Sequence, residues 1–295
     1  MPAQKIYTAP PDAGEAILGK TLPDLMYDAC ARYTNPCMFN QPTADGWKPY
    51  SLEDFRAQSE ETALGLLDLG LARGDRVAFY LDSDVYFCIA DMGCLLAGLV
   101  DVPIYLTSAP DIIRYVIEHA EARVVVVSNL EYLHRLAGIL AQTPNIEQVI
   151  VAEMTPDEPI PDLPEGVQVV SLDQVRARGR ERLRQAPEAI DTLRNQIKPH
   201  DLASIIYTSG TESRPKGAML THDAVIWQYV SCIIDAEIGA DDILLHALPL
   251  YHCAQLDVFL GPAVYVGASN VIVAHPQPEV VLPMIARHHV TSFFA

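Results

Sequence analysis

Basic residues are scarce in this sequence: 20 Lys and Arg stand against 38 Asp and Glu over 295 residues, which gives a net charge of −18. A nucleic-acid-binding protein usually presents a basic face to the phosphates, so this composition argues against nucleic acid as a partner. The one basic cluster consists of Arg176, Arg178, Arg180, Arg182 and Arg184. Because side chains at alternate positions scatter around a helix, we interpret this cluster as a solvated helix.

Paired cysteines are also missing. The six cysteines form no Cys-x-x-Cys motif, and no histidine pair stands at zinc-binding spacing beside them. Residues 1–20 lack the apolar stretch of a signal peptide. These absences predict a reducing, cytoplasmic location. Cys88 and Cys94 lie in an apolar run and are predicted to be small buried residues.

An unbroken apolar run long enough for a membrane helix is lacking as well. The longest stretch without Asp, Glu, Lys or Arg, from Val258 to Pro278, contains Gly261, Pro262 and Gly267. These residues would break a membrane-spanning helix, so the stretch predicts a buried helix, a turn and a strand. The sequence therefore predicts no transmembrane segment, although a weak association with a membrane surface is compatible with it.

The composition that is present is typical of a packed globular protein, with 50% hydrophobic and 20% charged residues. Thr21 and Ser51, each followed three residues later by aspartate, predict capped helix starts, and Gly70 predicts a helix end. From residue 75, predicted strands at 75–81, 102–105, 123–128 and 148–151 alternate with predicted helices at 85–99, 111–119 and 131–141. Continuous apolar strands such as Val124–Val127 favour a parallel sheet buried on both faces, and hence an α/β fold.

Changes in composition predict the domain boundaries. Residues 1–20 form an N-terminal extension, 21–195 a first α/β subdomain, and 196–295 the start of a second α/β subdomain. A loop with four prolines at 155–166 and an arginine-rich helix to Asn195 complete the first subdomain. Residues 290–295 are predicted as a strand that has barely begun, so we expect the chain to be part of a longer protein.

One loop carries the residue types that phosphate binding needs. A predicted strand at 203–207 leads into Thr208, Ser209, Gly210, Thr211, Glu212, Ser213, Arg214, Pro215, Lys216 and Gly217. Glycine lets backbone N–H groups approach an anion, hydroxyls donate to phosphate oxygens, and lysine adds a mobile positive charge. The order of residues fits neither a Walker loop nor a Gly-x-Gly-x-x-Gly motif. Phosphate binding is the favoured interpretation, with an ordinary polar turn as its alternative.

The segment Tyr207–Gly217 resembles the phosphate-loop signature of the acyl-adenylate-forming enzymes, the AMP-dependent synthetases and ligases that include acyl-CoA synthetases. Further segments that resemble this family follow in the same order: 51–70 with 74–78, 93–103, 248–252 and 290–291. The resemblance covers nearly all residues after Thr21. It implies stacked, mostly parallel sheets flanked by helices, as an incomplete N-terminal domain whose C-terminal domain is absent.

The resemblance implies a ligase that joins a carboxylic acid to AMP from ATP, releases pyrophosphate and passes the acyl group to coenzyme A. It implies that the nucleotide is bound by Thr208, Ser209, Gly210, Thr211, Glu212, Ser213, Lys216 and Gly217. Thr208 would also contact Mg²⁺, and Tyr251 and His252 would shape the acid site. The apolar segments 225–234 and 258–266 favour a fatty or other apolar acid. The family's catalytic lysine lies later in its chain, so we assign no catalytic residue and expect these 295 residues alone to be inactive.

Glu212 and Ser213 depart from the family pattern and leave alternative functions open. The family usually has Thr-Gly where this chain has Glu212-Ser213, and a carboxylate ~4 Å from a phosphate oxygen repels it by about 4 kcal/mol at an effective dielectric constant of about 20. Three interpretations follow: the Glu212 side chain points away, a Mg²⁺ ion bridges it to the phosphates, or the loop binds ATP poorly. We favour the first. The alternative functions are a non-catalytic or degenerate nucleotide- or acyl-binding module, and an adenylating enzyme that serves a carrier protein.

Two further residues have open roles. His252 is either structural or functional, and Tyr229 is interpreted as a core residue rather than part of the acyl pocket.

Overall fold

Strands and helices alternate along the chain in the predicted order. The computed structural model describes residues 17–43, 46–155, 158–208 and 214–294. The helices are α1 Leu22–Arg32, α2 Leu52–Asp68, α3 Val85–Leu96, α4 Pro110–His119, α5 Leu130–Leu140, α6 Leu172–Gln185, α7 Ala189–Gln196, α8 His222–Asp235, α9 Cys253–Gln255, a π-helical turn Leu256–Leu260, α10 Gly261–Tyr265 and α11 Pro278–Arg287. The strands are β1 Phe39–Thr43, β2 Gly46–Tyr50, β3 Arg76–Tyr80, β4 Val100–Pro103, β5 Ala122–Asn129, β6 Gln148–Glu153, β7 Gln168–Ser171, β8 Leu202–Thr208, β9 Lys216–Thr221, β10 Ile243–His246, β11 Ser269–Ile272 and β12 Ser292–Phe293.

The strands form two sheets, flanked by helices. One sheet has the order β7-β6-β5-β3-β4-β8-β9 and is parallel except for the β8–β9 pair. The other has the order β12-β10-β11-β1-β2 and is parallel except for the β1–β2 pair. Val124–Val127 of β5 are all buried, as expected for a strand covered on both faces. The predicted α/β fold with mostly parallel sheets is confirmed.

Both sheets cross the predicted boundary between 195 and 196. Strand β8 pairs with β4 through Asp101 and Ser204, so the second predicted subdomain contributes two strands to the first sheet. Strand β1 pairs with β11 through Phe39 and Asn270, so the chain's early hairpin belongs to the second sheet. The division into 21–195 and 196–295 stays a prediction about subdomains, but the sheets do not follow it.

The predicted helix ends agree with local geometry. The Thr21 and Ser51 side chains accept hydrogen bonds from the backbone N–H groups of Asp24 and Asp54, and both aspartates return the interaction. Each capping box therefore satisfies two backbone donors that the helix itself leaves unpaired. Helix α2 ends just before Gly70, whose φ of +91° is a conformation that few other residues adopt.

The interpretation of the arginine cluster as a solvated helix is wrong for one face of α6. A Cβ at Gly179 would lie 1.8 Å from the backbone oxygen of Glu61, so α6 packs directly on the backbone of α2. Arg176 Nε and Arg180 Nη1 lie 3.1 and 2.8 Å from the Glu61 carboxylate. Arginines four residues apart share a helix face, and here that face contacts a neighbouring helix instead of water.

The single arginine-rich helix predicted to reach Asn195 is two helices. Helix α6 stops at Gln185, and Ala186 adopts φ −140° and ψ 82° before α7 begins at Ala189. Pro187 follows Ala186 directly, and a proline disfavours the helical conformation of the residue before it. Strand β7, which directly precedes α6, was not predicted from the sequence.

The stretch from Val258 to Pro278 contains the rest of a π-helical turn, the helix α10, a turn at Gly267 and strand β11. The predicted helix, turn and strand are therefore confirmed. Within the described parts of the chain, no helix combines the length and apolarity needed to cross a membrane. All six cysteines are free, and Cys88 and Cys94 are buried as predicted. The cytoplasmic location stays a prediction.

Candidate functional site

The carboxyl ends of the central parallel strands bring the predicted site segments to one edge of the seven-stranded sheet. Asp101 of β4 pairs with Ser204 of β8, so Tyr105 and Thr208, each four residues further on, reach this edge at the same level. Open α/β sheets bind ligands outside the carboxyl ends of their strands. The candidate site therefore lies where the sequence analysis expects it, between the loop after β8 and the segments that follow β3 and β4.

The predicted phosphate loop joins two antiparallel strands. Thr208 at the end of β8 pairs with Lys216 at the start of β9, so the hydroxyl-bearing and the cationic residue stand at the two sides of the loop mouth. Gly217 follows, where a Cβ would lie 2.9 Å from a methyl carbon of Ile205. Ser209, Gly210, Thr211, Glu212 and Ser213 lie outside the described residues. The residues after Gly217 continue as part of β9.

An aromatic cluster that the sequence analysis missed supports the base of this loop. The Tyr207 hydroxyl lies 2.7 Å from Nδ1 of His119 at the end of α4. The Tyr115 ring packs against the His119 and Tyr207 rings, and the Arg214 guanidinium lies 5.1 Å from the centre of the Tyr115 ring. Burial raises the pKa of Tyr207 to about 12, so its hydroxyl remains neutral. No sequence signal connects α4 to the loop, because the two meet only across the sheet.

The segment Leu248–His252 crosses the same edge. The Leu250 N–H donates to Ser83 Oγ at 2.8 Å, which ties the segment to the residues after β3. The Tyr105 ring lies 5.4 Å from the Tyr251 ring and 5.9 Å from the His252 ring. Burial, followed by the nearby Asp82, raises the pKa of Tyr251. The sequence analysis did not select Tyr105, although its position directly after a Val-Pro strand is a signal for it.

His252 combines a structural contact with a free ring nitrogen. Its Nδ1 accepts the Ala254 N–H at 3.1 Å and so caps the short helix α9. Its Nε2 has no hydrogen-bond partner among the residues that the structure describes, and the side chain is exposed. The structural interpretation of His252 is thus supported, and a second role toward a ligand remains a proposal. His222 is buried and accepts the Leu22 N–H at Nδ1 at 3.3 Å, which is a structural role.

A buried hydrogen-bonded chain holds the start of this segment. The Leu248 N–H donates to Gln255 Oε1 at 3.1 Å, so the Gln255 amide nitrogen faces His246 Nδ1, 2.6 Å away. Because an amide nitrogen can only donate, Nδ1 is unprotonated and His246 Nε2 carries the proton toward Asn270 Oδ1 at 2.8 Å. Asn270 in turn donates to two backbone carbonyls. Burial lowers the pKa of His246 to about 4.

An apolar cavity of about 50 Å³ lies behind the segment. Its walls come from α1, α3, α8, the π-helical turn and α10. Leu256 and Leu260, which line it, follow His252 by four and eight residues. Tyr229 packs on a hydrophobic cluster of α1 and α8, as its interpretation as a core residue predicts, and it also lines this cavity.

Acidic and sulfur ligands for a metal ion are not assembled in the described ranges, where no three His, Cys, Asp or Glu side chains form a metal-binding group. Mg²⁺ commonly keeps several water ligands and binds through substrate phosphates with few protein ligands. The Thr208 hydroxyl at the loop mouth is compatible with that type of binding.

The comparisons with known proteins agree with this geometry. The family model described as AMP-binding enzyme matches residues 28–295. The peroxisomal long chain acyl-CoA synthetase 7 of Arabidopsis thaliana is 33% identical over 210 residues, which cover 70% of this chain and 28% of that protein. Long-chain-fatty-acid–CoA ligase ACSBG2 of Xenopus laevis is 26% identical over 247 residues, which cover 81% of this chain and 32% of that protein. The chain thus spans about a third of the length of these relatives.

A solved structure supports the fold. The N-terminal domain of FACL13 from Mycobacterium tuberculosis superposes with a TM-score of 0.72 at 23% identity and covers 94% of this chain and 63% of that chain.

Proposed function

Because this chain belongs to the AMP-binding enzyme family, we propose that it forms the N-terminal part of an ATP-dependent acyl-CoA synthetase. In the proposed reaction, the carboxylate of the acid attacks the α-phosphorus of ATP, and the bond to the leaving pyrophosphate breaks. The acyl-AMP product then gives its acyl group to the thiol of coenzyme A, and AMP leaves. The long-chain relatives support a fatty acid as the substrate.

The observation that carries the proposal is the meeting of two segments at one sheet edge. Thr208, at the end of β8, lies level with Tyr105, and Tyr105 contacts both Tyr251 and His252. The proposed phosphate site and the proposed acid site would therefore be neighbours, as the joining of two anionic substrates requires.

In this proposal the loop binds the β- and γ-phosphates. The binding residues are Thr208, Ser209, Gly210, Thr211, Glu212, Ser213, Lys216 and Gly217. Hydroxyls and backbone N–H groups donate to the phosphate oxygens, and the Lys216 ammonium offsets part of the negative background of the chain. The packing of Tyr115 on Arg214 would hold one end of the loop in place.

Mg²⁺, when bound with the nucleotide, would neutralise charge that develops on the leaving phosphates. Thr208 is the residue of this chain that we assign to it. Tyr251 and His252 would orient the carboxylate, and the free Nε2 of His252 offers a hydrogen bond to that group. The apolar cavity lined by Leu256 would receive the end of the hydrocarbon chain.

A degenerate nucleotide- or acyl-binding module is the second candidate, and the Glu212-Ser213 pair in the loop favours it. An adenylating enzyme that serves a carrier protein would share the first half-reaction. These candidates differ in whether the loop binds a triphosphate and in which thiol accepts the acyl group.

Calorimetric titration of the chain with MgATP tests the proposal. We expect binding that weakens about tenfold in Lys216→Ala, because a charged donor to phosphate is lost. Lys198→Ala, which removes an exposed lysine whose ammonium donates to the Asn195 carbonyl, is the matched control and should bind like the wild type. The double substitution Glu212→Thr with Ser213→Gly separates the candidates. Binding by the double variant alone would support the degenerate module, and absence of binding by both would refute the nucleotide site.

A further inference from the structure

The apolar cavity has a polar corner that hydrocarbon binding does not require. Asp91 of α3 and Tyr229 of α8 line the cavity together with leucine, methionine and phenylalanine side chains. A buried polar group in an apolar pocket is costly unless it has a hydrogen-bond partner. A ligand that carries a polar group would supply hydrogen-bond partners for Asp91 and Tyr229 in this cavity.

The Tyr229 phenol is fitted closely into the cavity wall. A Cβ at Gly261 would lie 2.0 Å from Cζ and 2.1 Å from the hydroxyl oxygen of Tyr229, so only glycine at position 261 leaves room for the tip of the ring. Among the residues that the structure describes, the Tyr229 hydroxyl has no hydrogen-bond partner. Burial, and then the nearby Asp257, raises the pKa of Tyr229, so the hydroxyl is a neutral donor and acceptor.

Asp91 is part of a buried acidic group. It shares a hydrogen bond with Asp101 of β4, and Ser204 Oγ donates to Asp101 Oδ1 at 2.7 Å. Burial, followed by the charge of Asp101, raises the pKa of Asp91, and burial raises the pKa of Asp101 to about 7. Asp91 therefore holds the proton and donates a hydrogen bond to Asp101, which leaves the second carboxyl oxygen of Asp91 as an acceptor.

We propose that this cavity binds the far end of an acyl chain that carries a hydroxyl group, which makes hydroxylated fatty acids the preferred substrate class. The inference rests on the proposed function for the position of the carboxylate. A ligand hydroxyl would accept a hydrogen bond from Tyr229 and donate one to Asp91, so both polar groups gain a partner. A methyl terminus would satisfy neither group, and a terminal carboxylate would be repelled by the acidic group.

Specificity is a difference between affinities, and a site built to bind a hydroxyl discriminates against the analogue that lacks it. The experiment compares the affinity of the chain for three matched series by calorimetry at pH 7: alkanoic acids, ω-hydroxyalkanoic acids and alkanedioic acids of eight, twelve and sixteen carbons. At the chain length that reaches the corner, we expect the hydroxy acid to bind about tenfold more tightly than the plain acid. The dioic acid should bind more weakly than both.

Tyr229→Phe tests the assignment with the ring retained. It should abolish the preference for the hydroxy acid, because the ligand hydroxyl loses its donor and a methyl terminus no longer faces an unpaired phenol. Tyr265→Phe is the matched control, because Tyr265 lines the same cavity but its ring lies 5.8 Å from the Arg32 guanidinium. This control should keep the preference. Thermal unfolding of each variant checks that the fold is intact.

The inference is overturned if no chain length shows the preference, if no acid binds, or if Tyr229→Phe retains it. These results are distinguishable from failure of the proposed function. MgATP binding with no hydroxyl preference would refute only the cavity assignment. A preference that Tyr229→Phe removes, in a chain that does not bind MgATP, would support the cavity assignment and refute the nucleotide site.

Discussion

The hydrogen-bonded chain from Leu248 through Gln255 and His246 to Asn270 predicts a specific response to pH. Wild-type His246 has a pKa of about 4 in the folded chain against an ordinary value of 6.5. Below pH 6.5 the unfolded chain binds a proton at this histidine that the folded chain does not bind, so stability falls as the pH drops from 6.5 to 4. At about 1.4 kcal/mol per pH unit between pH 6.5 and pH 4, the loss amounts to about 3–4 kcal/mol.

Gln255→Glu should reverse the sign of this dependence. One carboxylate oxygen would still accept a hydrogen bond from the Leu248 N–H, and the other would accept a hydrogen bond from a protonated His246 Nδ1, so the folded state would favour the charged imidazolium. The folded pKa of His246 would rise above 6.5, and its contribution to stability would be present below pH 6.5 and lost as the pH rises through the new folded pKa. Between pH 7 and pH 5 the variant should gain at least about 2 kcal/mol relative to the wild type.

Urea unfolding followed by circular dichroism at pH 7 and pH 5 measures this change. Other groups that titrate, including the buried aspartates, are common to both proteins and cancel in the difference. Gln255→Met is the control: it leaves the Leu248 N–H and His246 Nδ1 unpaired, and we expect it to be destabilised by about 2–5 kcal/mol at both pH values. A difference between Gln255→Glu and the wild type that does not change with pH would refute the proposed protonation state of His246.

Three further predictions concern packing and the acid site. Gly179→Ala should destabilise the fold by about 2 kcal/mol or more, because its Cβ would overlap the Glu61 backbone. In the same unfolding assay, the control Gly138→Ala on the open face of α5 should stabilise the fold by about 0.5–1 kcal/mol. Glu61→Gln should cost about 1 kcal/mol, because Arg176 and Arg180 lose a shared carboxylate. The control Glu131→Gln, whose partner Arg135 is exposed, should leave stability nearly unchanged. Tyr105→Leu should weaken acid binding about tenfold in calorimetry, because the ring contacts with Tyr251 and His252 are lost. Tyr105→Phe keeps the ring and should bind the acid like the wild type. Equal affinities in both variants would argue against the acid site at this position.

Local sequence patterns predicted most elements because local physics governs them. Thr21 and Ser51 start helices through contacts with aspartates three residues away, and Gly70 ends α2 because of its own backbone freedom. The apolar run of β5 indicated a strand buried on both faces without any knowledge of its neighbours. The arginine cluster was misjudged for the opposite reason, since the burial of α6 depends on Glu61, more than a hundred residues earlier.

In the candidate site, too, local sequence determines some features and long-range contacts determine others. The sequence by itself determined the chemical character of the loop from Thr208 to Gly217, since hydroxyl, glycine and lysine side chains set what that segment can bind. Only the tertiary structure decided that Tyr105 meets Tyr251, that His119 meets Tyr207, and that Asp91 and Tyr229 share a cavity. These pairs come from distant parts of the chain, and strand order and register bring them together, because the pairing of β4 with β8 fixes which loop ends lie at the same edge.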